Sequence, residues 1–173
     1  MAQLTELNVR WAFFEAMKYG WAGSAPVTIK PRPIEGRPGS HSIEWREDDW
    51  LVVDEYYTTS LGPDSDGSTL IWFHENLVWS MRYWGWYRED AISYLKVVLA
   101  DAYQTRRFCG GRGEPYSRPR GGILYENDYT GDFEKFAGKE RLIDTSVNPA
   151  LRDPILGVHE YSGGLMVKLP IDI

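Results

Sequence analysis

The chain has 173 residues, 25% of them charged and 14% aromatic, which predicts one folded domain and excludes a disordered chain. Its 19 Lys and Arg against 25 Asp and Glu give a net charge of −6, which argues against a nucleic-acid partner because such binders need a basic surface. One cysteine excludes an intrachain disulfide and a Cys-rich zinc site. Without a signal peptide or a long apolar run, we expect a soluble cytoplasmic protein with no membrane partner.

The first predicted element is an amphipathic helix over residues 4–19. Its apolar face is formed by residues at helical spacing, Leu4, Leu7, Trp11 and Phe14. Gly20 ends the helix, and a loop rich in Pro and Gly follows over residues 25–40. A second helix is predicted over residues 89–103, with Glu89 and Asp90 in its first turn.

Alternating apolar and polar residues predict strands before and after the second helix. The predicted strands are 42–46, 50–56, 69–73, 77–83, 122–129, 140–143 and 158–168. Three segments rich in Gly, Pro, Asp or Ser are predicted to be loops, 60–68, 108–122 and 144–157. The connections between most strands are short, which favours antiparallel pairing.

A weak internal repeat relates the two halves of the chain. Residues 41–87 and 122–168 each carry an Asp and a Tyr at the end of one strand and a Tyr-x-Gly at the end of a later one. Helix 88–103 joins these two units. We therefore predict a single α+β domain over residues 1–173, mainly an antiparallel sheet built from two similar strand units, with two helices packed on it.

Several sequence segments, and the order in which they follow one another, resemble the bacterial DUF5680 family, a domain of unknown function. The resemblance spans residues 7–168 and is carried by Arg37-Pro38-Gly39-Ser40-His41, Asp54-Glu55-Tyr56, Trp79-Ser80-Met81-Arg82-Tyr83-Trp84-Gly85, Phe136-Ala137-Gly138-Lys139-Glu140 and Tyr161-Ser162-Gly163-Gly164. The family's Phe-x-Gly-x-Glu element is present at residues 136–140, whereas an acidic, Gly-rich loop is expected in its place at residues 61–69. Some members resemble C-terminal partners of helix-turn-helix regulators, which implies sensing, but this chain has no such DNA-binding segment.

The candidate site is an aromatic-lined cleft between the two strand units. Tyr and Trp side chains lie on both faces of strand 81–87, and one core cannot bury both faces. Five Arg residues lie between residues 106 and 120, and Arg side chains suit carboxylate or phosphate groups. The candidate ligand-binding residues are Arg37, Tyr56, Trp79, Trp84, Arg112, Arg118 and Tyr161.

Three interpretations of this cleft remain open. The first is a module that binds a small organic molecule, with the Arg-rich loop orienting an anionic group. The second is a small cofactor-independent enzyme that uses His41, Asp54 and Tyr83 for acid and base catalysis. The third is an interaction module whose aromatic face forms a homodimer interface. No motif predicts a metal or a cofactor, because the three histidines lack metal-ligand spacing and residues 110–113 lack a phosphate-loop pattern.

Overall fold

The computed structural model describes residues 3–150 and 152–172. It has two helices and ten strands in these residues, in the order β1 (Gln3–Leu4), α1 (Glu6–Tyr19), β2 (Ser40–Glu47), β3 (Trp50–Thr58), β4 (Asp64–Phe73), β5 (Asn76–Tyr87), α2 (Ile92–Thr105), β6 (Tyr116–Arg120), β7 (Ile123–Gly131), β8 (Lys135–Asp144), β9 (Ile155–Leu165) and β10 (Ile171–Asp172). A short 3-10 turn over Glu89–Ala91 leads into α2. The predicted α+β class is confirmed.

One antiparallel sheet of eight strands dominates the fold, in the order β2-β3-β4-β5-β9-β8-β7-β6. Strands β2–β5 form one four-stranded meander and β6–β9 form another, here named the first and second meanders. They join along β5 and β9, where Tyr83 pairs with Tyr161. Each meander follows one helix in the chain, so α1 precedes the first and α2 precedes the second.

The strand registers relate the two meanders by an internal two-fold axis between β5 and β9. In each meander three residues lie side by side on adjacent strands, Tyr83, Gly67 and Tyr56 in the first, and Tyr161, Gly138 and Tyr129 in the second. A Cβ at Gly67 would lie 2.5 Å from the Tyr83 ring, and a Cβ at Gly138 would lie 2.5 Å from the ring carbon that bears the Tyr161 hydroxyl. Only glycine leaves room for a ring that lies this flat on its neighbouring strand.

The face of α1 differs from the predicted one. Thr5 and Asn8 cap the helix through a capping box. Leu4 and Phe14 are buried as predicted, although Leu4 lies in β1 before the helix begins at Glu6. Leu7 is 74% exposed, and Phe13, which the predicted stripe omits, is fully buried. Because α1 packs against α2 as well as against the sheet, its buried face is wider than the predicted stripe and is centred on Phe13. Trp11 is half-buried and meets Trp45 edge-on at 6.0 Å between ring centroids.

The predicted loop over residues 60–68 is wrong, because β4 begins at Asp64. Asp, Ser and Gly are poor strand formers, but this segment hydrogen-bonds to β3 on one side and β5 on the other. Likewise, Tyr116–Arg120 forms edge strand β6 inside the predicted loop 108–122. The predicted loop 144–157 is shorter than expected, since β8 extends to Asp144 and β9 begins at Ile155.

Candidate functional site

A cavity of about 240 Å³ lies between the first meander and the two helices. This volume is an order of magnitude larger than the roughly 10–15 Å³ that one water molecule needs. The wall opposite the sheet is mainly apolar and is formed by Met17 of α1, Trp21 just after α1, and Ile92, Leu99 and Tyr103 of α2. The floor formed by the sheet is polar and includes Asp54, Ser65, Thr69, Tyr83 and His159.

Asp54 on β3 is the carboxylate of this floor. Its Oδ1 atom accepts hydrogen bonds from the Tyr83 hydroxyl at 2.7 Å and from the Thr69 hydroxyl at 3.0 Å. No described residue donates to the second carboxylate oxygen, Oδ2. Burial raises the pKa of Asp54 above its usual value, while the bonds from Tyr83 and Thr69 and the charge of Arg112 oppose that shift. Asp54 therefore presents one oxygen without a protein partner at the edge of the cavity.

His159 on β9 is stacked against the rings of Tyr83 and Tyr87 at another part of the cavity lining. Its imidazole stacks on Tyr87 at 4.1 Å between centroids, and its Nε2 lies 3.2 Å from the Ser65 hydroxyl. Its Nδ1 is buried and has no hydrogen-bond partner among the described residues. Burial, reinforced by the charge of Arg112, lowers the pKa of His159 to about 3. The imidazole is therefore neutral near pH 7 and is poorly matched to proton transfer there.

Arg112 and Glu140 form a buried ion pair at one end of the cavity. The guanidinium donates through Nε to Glu140 Oε1 at 2.8 Å and through Nη2 to the same oxygen. The hydroxyls of Tyr87 and Tyr125 also donate to this carboxylate. Burial alone would raise the pKa of Glu140, but Arg112 holds it below the usual value. The positive charge of Arg112 is thus balanced by a carboxylate of the same chain.

Four of the sequence-predicted site residues line the cavity: Asp54, Tyr56, Tyr83 and Arg112. His41 does not complete the predicted catalytic group. It lies behind the cavity lining, stacked on Tyr56 at 4.8 Å between centroids. The structure therefore joins Asp54 to Tyr83 through a hydrogen bond and leaves His41 outside their contact.

The remaining predicted ligand residues lie elsewhere. Arg37 is at the surface beside Glu55 and Tyr57, and Trp84 is 41% exposed on the outer face of the sheet. Arg118 is exposed on edge strand β6. Trp79 is fully buried and donates to the Phe133 carbonyl at 3.1 Å. Tyr161 is buried in the second meander, where its hydroxyl donates to Asn127.

Comparison with protein families gives one match, to the domain of unknown function DUF5680, over residues 59–166. The chain belongs to the DUF5680 family. Comparison with curated proteins and with solved structures gives no match. The matched residues run from just before β4 to just after β9, so the DUF5680 region contains His159, Arg112 and Glu140, while Asp54 and α1 lie before it.

Sequence reasoning missed several residues of this DUF5680 cavity. His159 carries no motif and stands beside a surface glutamate, so nothing local distinguishes it from an ordinary strand residue. Its place at the cavity follows from the pairing of β9 with β5, which puts it opposite Gly85. A Cβ at Gly85 would lie 2.7 Å from the His159 ring. The nearest atom to that Cβ would be the Val158 backbone oxygen at 2.0 Å, so the Gly in Tyr-x-Gly indicates close approach of the adjacent strand and not which side chain lies there.

Other features of the described residues bear on chemistry. Cys109 is buried, and burial raises the pKa of its thiol, which disfavours the reactive thiolate. Residues 3–150 and 152–172 hold no cluster of three His, Cys, Asp or Glu side chains placed to bind a metal ion. No helix in these ranges is long and apolar enough to cross a membrane.

Proposed function

We propose that this DUF5680 protein is a small-molecule-binding domain whose ligand occupies the cavity over Asp54. One observation carries the proposal: Asp54 lines an aromatic-walled cavity, and its second carboxylate oxygen, Oδ2, has no hydrogen-bond partner among the described residues. Polar groups in protein interiors are nearly always hydrogen-bonded, and the exceptions call for an explanation. A bound molecule that supplies the missing partner to Asp54 is such an explanation.

The shape and chemistry of the cavity support a compact organic ligand with an apolar body. The helical wall offers aliphatic and aromatic surface, and the polar groups lie on the sheet side apart from Arg112 and the Tyr103 hydroxyl. Small-molecule sites typically combine a largely apolar lining with a few placed polar groups. An anionic head group receives less support, because Arg112 is already neutralised by Glu140 and Arg118 lies outside the cavity lining.

The second meander suggests a variant that fills the cavity. The registers place Ser65 where the second meander has Phe136, since Ser65 pairs with Gly85 and Phe136 pairs with Gly163. Phe136 is a buried core residue. Ser65→Phe should therefore occupy the cavity with a side chain that the same strand geometry already accommodates. Ser68→Phe is the matched control, because Ser68 lies on the same strand with its side chain on the opposite face.

A thermal-shift screen of small aromatic compounds against wild type, Ser65→Phe and Ser68→Phe tests the proposal. A ligand at 100 times its Kd stabilises by about 2.7 kcal/mol, which corresponds to a rise in Tm of roughly 5–10 °C for a chain of this size. We expect such compounds to raise the Tm of wild type and of Ser68→Phe but not of Ser65→Phe. A screen without a stabilising compound, or compounds that shift all three proteins equally, would contradict binding in this cavity.

A further inference from the structure

We propose that the group bound by Asp54 is a protonated nitrogen, an amine or amidinium carried on an apolar body. This inference rests on the proposed function and specifies the chemistry of the same cavity. It replaces the anionic head group expected from the Arg-rich loop with a cationic one.

The first argument is the charge balance around the cavity. The charges of Arg112 and Glu140 cancel, because both Nε and Nη2 of the guanidinium donate to one oxygen of that carboxylate. Asp54 receives only neutral hydroxyl donors, from Tyr83 and Thr69. With Asp54 ionised, the three groups sum to one negative charge. A charge at a largely apolar site is costly unless it is paired, so a cationic ligand would be favoured there.

The second argument comes from the equivalent position in the second meander. Asp54 lies two residues before Tyr56, and Asn127 lies two residues before Tyr129, so the internal two-fold axis superposes Asp54 on Asn127. Tyr161 donates to Asn127 Oδ1 just as Tyr83 donates to Asp54 Oδ1. The two side chains thus have the same shape and accept the same hydrogen bond from a tyrosine. They differ in the remaining polar atom, which is Oδ2 in Asp54 and Nδ2 in Asn127.

The remaining polar atom has hydrogen-bond partners in the second meander, whereas in the first it has none among the described residues. Asn127 Nδ2 donates to the backbone carbonyls of Cys109 at 3.0 Å and Gly113 at 2.7 Å. Residues 109–113 therefore lie over Asn127 and act as a built-in occupant that accepts hydrogen bonds. Over Asp54 the corresponding space is the cavity. An ionised carboxylate has no hydrogen to donate, so an occupant of the first meander must donate where residues 109–113 accept.

The cavity lies in the first meander because two large side chains of the second meander have smaller counterparts in the first. Ser65 and Thr69 occupy the places of Phe136 and Glu140, while the glycine between them, Gly67, is retained. The resulting space is bordered by Tyr56, Tyr83 and Tyr103. Aromatic faces attract ammonium and guanidinium groups as well as packing against an apolar body, so the walls and the carboxylate favour the same kind of ligand.

Three indole compounds that differ in the charge of their side chain test the inference by isothermal titration calorimetry near pH 7. They are tryptamine, a cation, indole-3-acetamide, which is neutral, and indole-3-acetate, an anion. We expect wild type to bind tryptamine at least ten-fold more tightly than the amide, because only the ammonium group neutralises the Asp54 carboxylate, whereas the amide leaves that buried charge without a counter-charge. Indole-3-acetate should bind most weakly, since it brings a second negative charge to Asp54.

Asp54→Asn is the test variant, because Asn127 shows that an amide fits this environment. It should weaken tryptamine binding at least ten-fold while leaving indole-3-acetamide within a few-fold. Asp128→Asn changes the net charge equally, at an exposed position outside the cavity lining, and should leave all three affinities unchanged. Circular dichroism checks whether both variants fold. If Asp54→Asn does not fold, the ranking of the three compounds on wild type still decides the question.

The outcomes separate the two proposals. If indole-3-acetate or indole-3-acetamide binds wild type most tightly and Ser65→Phe abolishes that binding, the cavity binds small molecules but the cationic group is wrong. Unchanged tryptamine affinity in Asp54→Asn overturns the role of the carboxylate. Lack of binding by all three compounds also overturns the cationic inference. The proposed function itself fails only when the broader aromatic screen yields no compound whose effect depends on Ser65.

Discussion

Glu140→Gln is expected to lower the free energy of unfolding by about 3–5 kcal/mol, the largest single effect predicted for this protein. The substitution keeps the size of the side chain but removes the negative charge beside Arg112, which is only 8% exposed. A buried guanidinium then lacks its counter-charge. The hydroxyls of Tyr87 and Tyr125 also lose a charged acceptor. Urea unfolding monitored by tryptophan fluorescence gives the measurement.

A double-mutant cycle identifies the ion pair as the cause. Arg112→Met combined with Glu140→Gln removes both charges, so the double variant should lose much less than the sum of the two single losses. The exposed pair Arg141 and Glu126, at 3.1 Å, is the control, because Arg141 is next to Glu140 on β8 and Glu126 lies on β7; Glu126→Gln should cost less than about 1 kcal/mol. A loss below 1 kcal/mol for Glu140→Gln, or strictly additive losses in the cycle, would show that the buried pair is not coupled as described.

Acidification from pH 8 to pH 5 is expected to remove about 2 kcal/mol of stability through His159 alone. The pKa of His159 is about 3 in the folded protein against a usual value of 6.5, so the unfolded chain takes up the proton first. The stability is fully present above pH 6.5 and is lost as the pH falls below it. Burial causes the shift, with the charge of Arg112 acting in the same direction.

His159→Phe separates this effect from the other titrating groups. Phenylalanine keeps the stacking on Tyr87 and Tyr83 but cannot bind a proton. The difference in unfolding free energy between wild type and His159→Phe should therefore change by about 2 kcal/mol between pH 8 and pH 5. Parallel stability curves for the two proteins across this range would mean that His159 titrates normally and is not buried as the structure has it.

Much of the fold was predictable because local patterns and tertiary structure agree. Alternation at Ile43 and Trp45 predicted a strand, and both side chains are buried on one face of β2. Residues 64–68 were mispredicted because their strand structure comes from hydrogen bonds to both neighbours, which no local propensity records. The exposure of Leu7 has the same origin, since the buried face of α1 depends on where α2 lies.

The candidate site was predictable only in part. Asp54 and Tyr83 were singled out as a carboxylate and a tyrosine near strand ends, and they do meet at the cavity. The balance of Arg112 by Glu140 was not foreseeable, because the two residues meet only when the loop after α2 folds onto β8. For the same reason a cluster of five Arg residues suggested an anion site, although only one of them lines the cavity.

The most direct test of ligand binding in the cavity uses the methionine methyl groups. Met17 and Met81 line the cavity, whereas Met166 is 57% exposed and lies outside the cavity lining. Protein labelled with ¹³C at the methionine methyls would be titrated with tryptamine, indole-3-acetamide and indole-3-acetate and followed by NMR. Binding in the cavity predicts saturable shifts of the Met17 and Met81 signals and an unmoved Met166 signal. The Kd obtained from these shifts should be lowest for tryptamine. Shifts confined to Met166, or unmoved Met17 and Met81 signals with all three compounds, would contradict it.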